Sequence, residues 1–308
     1  MSKVSIVGAG NVGATAALYI AQGEYADVTL VDIVDGMPQG KALDLRQATP
    51  LETADCALSG SNDFAALAGS DVVVVTSGFP RKPGMSRDDL LAKNAEIVGS
   101  VAANIKKYAP DSIVVMVSNP LDVMAYHAMK VTGFPPSRVV GMAGVLDSAR
   151  FCTFLAMEIG VSASDVMAMV LGGHGDSMVP LTRYANVAGV PVSELLSKEA
   201  LDRIVDRTRN GGAEIVALLK AGSAYYAPGK SVARMVEAIL KDKKRLVPAA
   251  AYLTGQYGLS GIFVGVPVVL GRGGVERIVE LSLLPEERAA LERSAADVRA
   301  TIAKLPPA

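Results

Sequence analysis

The stretch "VSIVGAGNVGATAALYIAQG", residues 4–23, decides the fold. An apolar strand pattern runs straight into Gly8-x-Gly10-x-x-Gly13, and a helical pattern begins inside the glycines. A glycine-rich turn alone says little, but three conditions accompany this one. It follows the first strand, it opens a helix, and the next strand, "DVTLVD" (27–32), ends in Asp32. In that setting Gly8 permits a tight turn and Gly10 lets a pyrophosphate approach the backbone. Gly13 lets the helix pack close to the strand, and the helix N-terminus faces the phosphates. Asp32 is placed to accept hydrogen bonds from the adenosine ribose hydroxyls, and its charge repels the extra phosphate of NADP. The turn therefore points to a dinucleotide-binding domain that takes NAD.

The pattern continues outward from there. Further strands are expected at 3–7, 71–77, 112–118 and 138–143, with amphipathic helical stretches at 11–22, 37–48, 88–107 and 120–131. Continuous Val/Ile runs alternating with helices describe a parallel sheet covered on both faces. Residues 1–143 thus read as a doubly wound α/β, Rossmann-type unit. Residues 144–308 read differently: a helix at 146–160, a strand at 165–173, helices near 197–220 and 231–241, strands at 246–254 and 262–270, and a charged helix from about 285. That is a mixed α+β domain with antiparallel strands, packed tightly on the first because no low-complexity linker separates them.

Composition narrows the function. Apolar residues make up 50% of the chain and charged residues 20%, a globular balance, and 30 basic against 31 acidic residues leave a net charge of −1. Neither a nucleic-acid footprint nor a polybasic membrane anchor is expected from that balance. Mean hydropathy is high at +0.34, yet no apolar run approaches the ~18 residues of a membrane span. Cys56 and Cys152 are too few and too far apart for a disulfide framework or a metal site, so no metal is expected. The chain opens "MSKVSIVGAG", a strand almost from its first residue, which leaves no room for a signal or transit peptide and sets the expectation of a cytoplasmic enzyme.

The chemistry-bearing residues cluster in three places. "VVVVTSGFPRKPGMSRDDL" (72–90) leads a buried strand into a loop holding Arg81, Lys82 and Arg87 among Pro80, Pro83 and Gly84. Such a loop is either solvated charge or the seat of an anionic ligand. Of two histidines, His127 lies in the helical run "LDVMAYHAMK" and reads as a packed or partly exposed helix residue. His174, in "VLGGHGDSM", sits at a strand end between glycines that suit a turn projecting one side chain into a cleft. In "GVLDSAR", Asp147 and Arg150 are three apart on a helix and share a face. They could be an exposed ion pair. They could equally be a carboxylate that orients an imidazole beside a guanidinium that forks a substrate carboxylate, a constellation suited to hydroxy-acid chemistry. Asn119 ends the strand at 112–118, on the carboxyl edge of a parallel sheet where ligands bind.

Together GAGNVG, VD at 31–32, GFPRKPGMSR, SNP at 118–120, GMAGVLDSAR and GGHGDSMVP resemble the malate and lactate dehydrogenase family, in order and along essentially the whole chain. Within it the chain is similar to the lactate-dehydrogenase-like group of malate dehydrogenases. The resemblance implies a reversible NAD-dependent oxidation of (S)-malate to oxaloacetate, as in the tricarboxylic acid cycle, by an enzyme that assembles as a homo-oligomer, a tetramer in preference to a dimer. It implies His174 as proton donor and acceptor with Asp147 as its partner, Arg150 on the substrate carboxylate, Arg87 polarising the carbonyl and Asn119 adding a hydrogen bond. Arg81 falls where malate dehydrogenases carry arginine and lactate dehydrogenases typically carry glutamine, and so reads the distal carboxylate. The loop becomes a hinged lid on the same implication. Gly8, Gly10, Asn11, Val12, Gly13, Asp32, Asn94, Val117 and Asn119 are implied to hold NAD. The rivals are an L-lactate dehydrogenase of the same family, which has no use for Arg81, and a catalytically silent NAD-binding module, which would not need the histidine, aspartate and arginines together.

Overall fold

A computed structural model describes residues 1–51, 54–79 and 87–306, with the side chain of Arg87 outside that description. The first half alternates as expected: β1 (Lys3–Val7), α1 (Asn11–Gln22), β2 (Asp27–Val31), α2 (Met37–Ala48), β3 (Leu58–Ser61), β4 (Val72–Val75), α3 (Arg87–Tyr108), β5 (Ile113–Met116), α4 (Leu121–Thr132) and β6 (Val139–Gly141). Strands β4, β5 and β6 are buried at every residue, because their Val/Ile/Met runs present an apolar side chain to helices on both faces. The six strands pair in parallel in the order β3-β2-β1-β4-β5-β6. The direction of winding reverses between β1 and β4, where a crevice opens at their carboxyl ends. Strand β3 was not anticipated: "LSGS" carries no apolar run. Its Gly60 fits because a Cβ there would lie 2.2 Å from the Pro38 carbonyl carbon of α2.

The second half contains α5 (Gly144–Ile159), β7 (Val166–Met167), β8 (Val170–Leu171), β9 (Val179–Pro180), β10 (Asn186–Val187), β11 (Val190–Pro191), α6 (Val192–Leu195), α7 (Lys198–Leu219), α8 (Tyr226–Leu240), β12 (Arg245–Thr254), β13 (Ser260–Gly271), β14 (Gly274–Ile278) and α9 (Pro285–Ile302). The single strand expected at 165–173 is instead two short ones. Strand β7 pairs with β10, whereas β8 pairs with β9 in a separate sheet. Helix α8 starts before the expected 231 because Pro228 sits in its first turn, where a missing N–H costs nothing.

The long antiparallel strands β12, β13 and β14 do not form a sheet of their own. They extend the parallel one to nine strands, in the order β14-β13-β12-β6-β5-β4-β1-β2-β3. The join is Gly141 of β6 opposite Ala250 of β12. A Cβ at Gly141 would stand 2.4 Å from Leu121 Cδ2 and 2.8 Å from Ala250 Cβ, so only glycine allows this approach. A buried apolar cluster runs across the join, taking in Val4, Ile6 and Val115 from the first half and Val247, Val264 and Val266 from the second. No helix among the described residues is long and apolar enough to cross a membrane.

Candidate active site

The glycine turn is built as its spacing requires. Gly8 has φ +109°, and a Cβ there would meet Thr76 Oγ1 at 2.5 Å. At Gly13 a Cβ would fall 1.9 Å from the Gly8 carbonyl oxygen, whereas at Gly10 it would meet no protein atom within 4 Å. Two glycines thus close the turn, and the third leaves its backbone open to a ligand. Gly10 is the N-cap of α1, which begins at Asn11 without a side-chain cap, so the helix presents its N–H groups and positive dipole end in the crevice. Asp32 ties the turn to β2: Oδ2 accepts from the Ala9 N–H (2.7 Å) and Oδ1 from the Val34 N–H (3.0 Å). Each carboxylate oxygen keeps a second lone pair for a hydroxyl donor. These residues fit a dinucleotide.

Across the crevice, two glycines position His174. Gly172, at φ +86°, exchanges both backbone hydrogen bonds with Gly265 of β13, at 2.9 and 3.0 Å. The Gly173 N–H donates to Ser294 Oγ of α9 at 2.8 Å. With both glycines tied down, the His174 ring meets Asp147: Nδ1–H donates to Asp147 Oδ2 at 2.8 Å. The other oxygen, Oδ1, accepts from Arg150 Nη1 at 3.1 Å. Asp147 is only 2% exposed and the other two side chains 15%. Asp147 is therefore not part of an exposed ion pair: it is buried and bridges imidazole and guanidinium. Burial pulls the His174 imidazolium down, but the charge and hydrogen bond of Asp147, with a further charge from Asp122, outweigh it. The net shift is upward. The ring is thus held as a tautomer with Nε2 turned to its free side, able to take or give a proton.

His174, Arg150, Asn119, Val117 and Val12 line one cavity of about 540 Å³, which brings residues from four expected motifs together. Asn94 lies behind that surface, at 3% exposure. Its Oδ1 accepts from the Phe79 N–H (2.6 Å) and its Nδ2 donates to the Asn119 carbonyl (2.8 Å). Both ends of its amide are engaged by protein, so Asn94 joins the loops after β4 and β5. Ser118 Oγ donates to the Ser77 carbonyl and reinforces the same junction. Arg81 and Lys82, and the side chain of Arg87, lie outside the described residues. His127 is buried at 7% exposure between α3 and α4, and burial lowers its pKa. It takes no part in the cavity.

Sequence reading passed over several residues that the fold brings here. Gly211 and Gly212 of α7 leave room for Arg150, since a Cβ on Gly211 would sit 3.3 Å from Arg150 Cδ. Arg209 of the same helix lines the cavity, its Nε donating to the Met178 carbonyl at 3.2 Å. Asp122 is buried in the first turn of α4 and accepts the His174 backbone N–H at 2.8 Å. A carboxylate on the apolar face of "LDVMAYHAM" needs some partner, but nothing nearby in the sequence says which.

Comparison with known proteins is consistent along the chain. Residues 2–141 match the NAD-binding domain of the lactate/malate dehydrogenase family, and residues 144–306 match its alpha/beta C-terminal domain. A malate dehydrogenase from Roseiflexus castenholzii is 58% identical over 303 residues, covering 98% of each chain. The solved structure of a malate dehydrogenase from Picrophilus torridus, in its apo form, is 50% identical with a TM-score of 0.96, covering 98% of this chain and 96% of that one. A lactate dehydrogenase from Cryptosporidium parvum, solved with lactic acid and nicotinamide adenine dinucleotide, is 44% identical with a TM-score of 0.95, covering 99% of each chain. The backbone alone does not separate the two activities.

Proposed function

The chain belongs to the lactate/malate dehydrogenase family, and from that premise we propose that it catalyses the reversible, NAD-dependent oxidation of (S)-malate to oxaloacetate. The observation that carries this reading is Asp147, buried and bridging His174 and Arg150 at the wall of the cavity that the glycine turn opens into. Bound NAD, held by the Gly8–Gly13 turn, Asp32, Val117 and Asn119, supplies the hydride acceptor. The chain's own residues do the rest. Neutral His174 accepts the hydroxyl proton of malate at Nε2, and Asp147 stabilises the imidazolium that results. In reduction the same imidazolium returns that proton to the carbonyl oxygen. Arg150 spends one N–H on Asp147 and presents the others to the carboxylate next to the reacting carbon. Asn119, in the loop after β5, donates to the substrate oxygen. Arg87 polarises the carbonyl and Arg81 meets the distal carboxylate.

Two observations favour malate over lactate: arginine at position 81, and the name malate dehydrogenase carried by relatives 54–58% identical over nearly the full chain. Initial rates with oxaloacetate and pyruvate, each with NADH and NADPH, test the reading. Fast turnover is expected for oxaloacetate with NADH alone. Preference for pyruvate would make the chain a lactate dehydrogenase, and no turnover with either would make it a silent module. Arg81→Gln sharpens the test. It leaves one carboxylate of oxaloacetate unpaired in a closed site, a loss of about 2–5 kcal/mol, so kcat/KM for oxaloacetate should fall roughly 30- to 5,000-fold. Pyruvate has a methyl group there and should be unaffected or improved. Equal slowing of both substrates would show that Arg81 does not read the second carboxylate.

The working form we propose is a cytoplasmic homo-oligomer, a tetramer in preference to a dimer, divided into a cofactor domain at 1–143 and a catalytic domain at 144–308. Sedimentation equilibrium measures the assembly directly.

A further inference from the structure

His174 answers to two carboxylates, and the second comes from the opposite half of the molecule. Asp122 is 4% exposed, in the first turn of α4, three residues after Asn119. One of its oxygens, Oδ2, accepts the His174 backbone N–H at 2.8 Å. The other, Oδ1, is buried with no hydrogen-bond partner among the described residues. A buried carboxylate with one oxygen unmatched is costly to keep ionised, and burial pushes this one up to about 6. A neutral amide would make the same backbone contact without that cost. The charge therefore has a use beyond fastening the turn.

We propose that Asp122 is a positioning residue for the proton transfer: it fixes the His174 turn through the backbone N–H, and its negative charge raises the proton affinity of the imidazole. This rests on His174 being the acid/base group. The charged and titratable groups around that ring, among the described residues, are few. Asp147 and Arg150 face it from α5, Asp122 from α4, Asp176 stands two residues along its own loop and Arg209 is on α7. Asp297 and Lys304 line a cavity of about 610 Å³ on its other side. Of these, only Asp147 and Asp122 hydrogen-bond to His174 itself.

Asp122→Asn tests the charge, because the amide oxygen can still accept the His174 N–H. The readout is kcat/KM against pH in both directions. Oxaloacetate reduction needs the imidazolium and falls as pH rises through the His174 pKa; malate oxidation needs the neutral ring and rises through it. Both midpoints should move down together by roughly half to one pH unit, within the range a nearby charge exerts on a titrating group. Asp122→Ala, which loses the contact as well, should also lower turnover at every pH. A uniform loss in Asp122→Asn with the midpoint unmoved would reduce Asp122 to scaffolding and overturn the proposal.

Titration by NMR provides a measurement that needs no active variant. The chain has only two histidines, so a His127→Asn spectrum identifies the His174 ring resonance. In the wild type that resonance should move in two steps, the lower near pH 6 where Asp122 takes up its proton. A single step would overturn the coupling. Should the acid/base reading itself be wrong, His174→Asn would remain active while the two-step titration persisted, so the two failures are distinguishable.

Discussion

Asp147 divides its two oxygens between an imidazole and a guanidinium, and that division sets where each neighbour sits. With Oδ2 on Nδ1 of His174 and Oδ1 on Arg150, the ring and the guanidinium are each held in place by the same buried carboxylate. His174→Asn should lower turnover by about 10² to 10⁴, the scale of a positioned acid/base group. NADH binding, measured by fluorescence, should barely change. His127→Asn should leave turnover within a few-fold, because His127 is packed between α3 and α4. A reversal of the two outcomes would mean that the wrong histidine was assigned. The different settings of the two histidines were legible from chain context, as glycines flank one ring and an apolar helix surrounds the other. The second carboxylate was not: Asp122 is 52 residues from His174 in sequence, and no local pattern announces a contact at that distance.

Among the elements, the β1-turn-α1 unit was the most legible, because its whole geometry is local. Each glycine answers to an atom within the unit or just across the crevice, and the unit separates stability from binding. Gly13→Ala would force a Cβ to 1.9 Å from the Gly8 carbonyl oxygen. It should destabilise the apo protein by about 1–3 kcal/mol, as overpacking does. Gly10→Ala meets no protein atom, and at φ −68° the backbone suits any residue. Apo stability should stay within about 0.5 kcal/mol, while NADH affinity drops on the order of tenfold or more, or about 1.4 kcal/mol. Melting curves with and without NADH check both. If Gly10→Ala bound NADH normally, the pyrophosphate would not lie against this turn. Elements without such local logic were misjudged. Strand β3 is polar and small, and β14 reads "GVERI", with only Gly274 buried. The run at 165–173 looked continuous because alternation does not reveal which partner a strand will find. Its two pieces pair with β10 and β9, whose positions depend on the whole domain.

At the scale of the molecule, the two halves that read as separate domains share a sheet and a core. The sequence shows a change of pattern near residue 143, from parallel runs to longer strands. It could not show that β12 would dock on β6, because the junction depends on one glycine, Gly141, accepting Ala250 and Leu121 at once. The site is divided along the same line, with Asn119 and Asp122 from one half and Asp147, Arg150 and His174 from the other. A cleft between loosely joined domains would let these groups drift; a continuous sheet holds them at hydrogen-bond distance. Unfolding should accordingly be one cooperative event, although the chain's length would ordinarily allow two. Calorimetry of the apo protein should show a single transition, with near- and far-ultraviolet dichroism coinciding. NADH at 100 times its dissociation constant adds about 2.7 kcal/mol to whatever unit binds it. It should therefore move the entire transition, second half included. Were the halves independent, two transitions would appear and NADH would shift only one. Residues 1–143 expressed alone should not reproduce the NADH-stabilised fold, because they would leave the β6 edge and its share of the common core open to water.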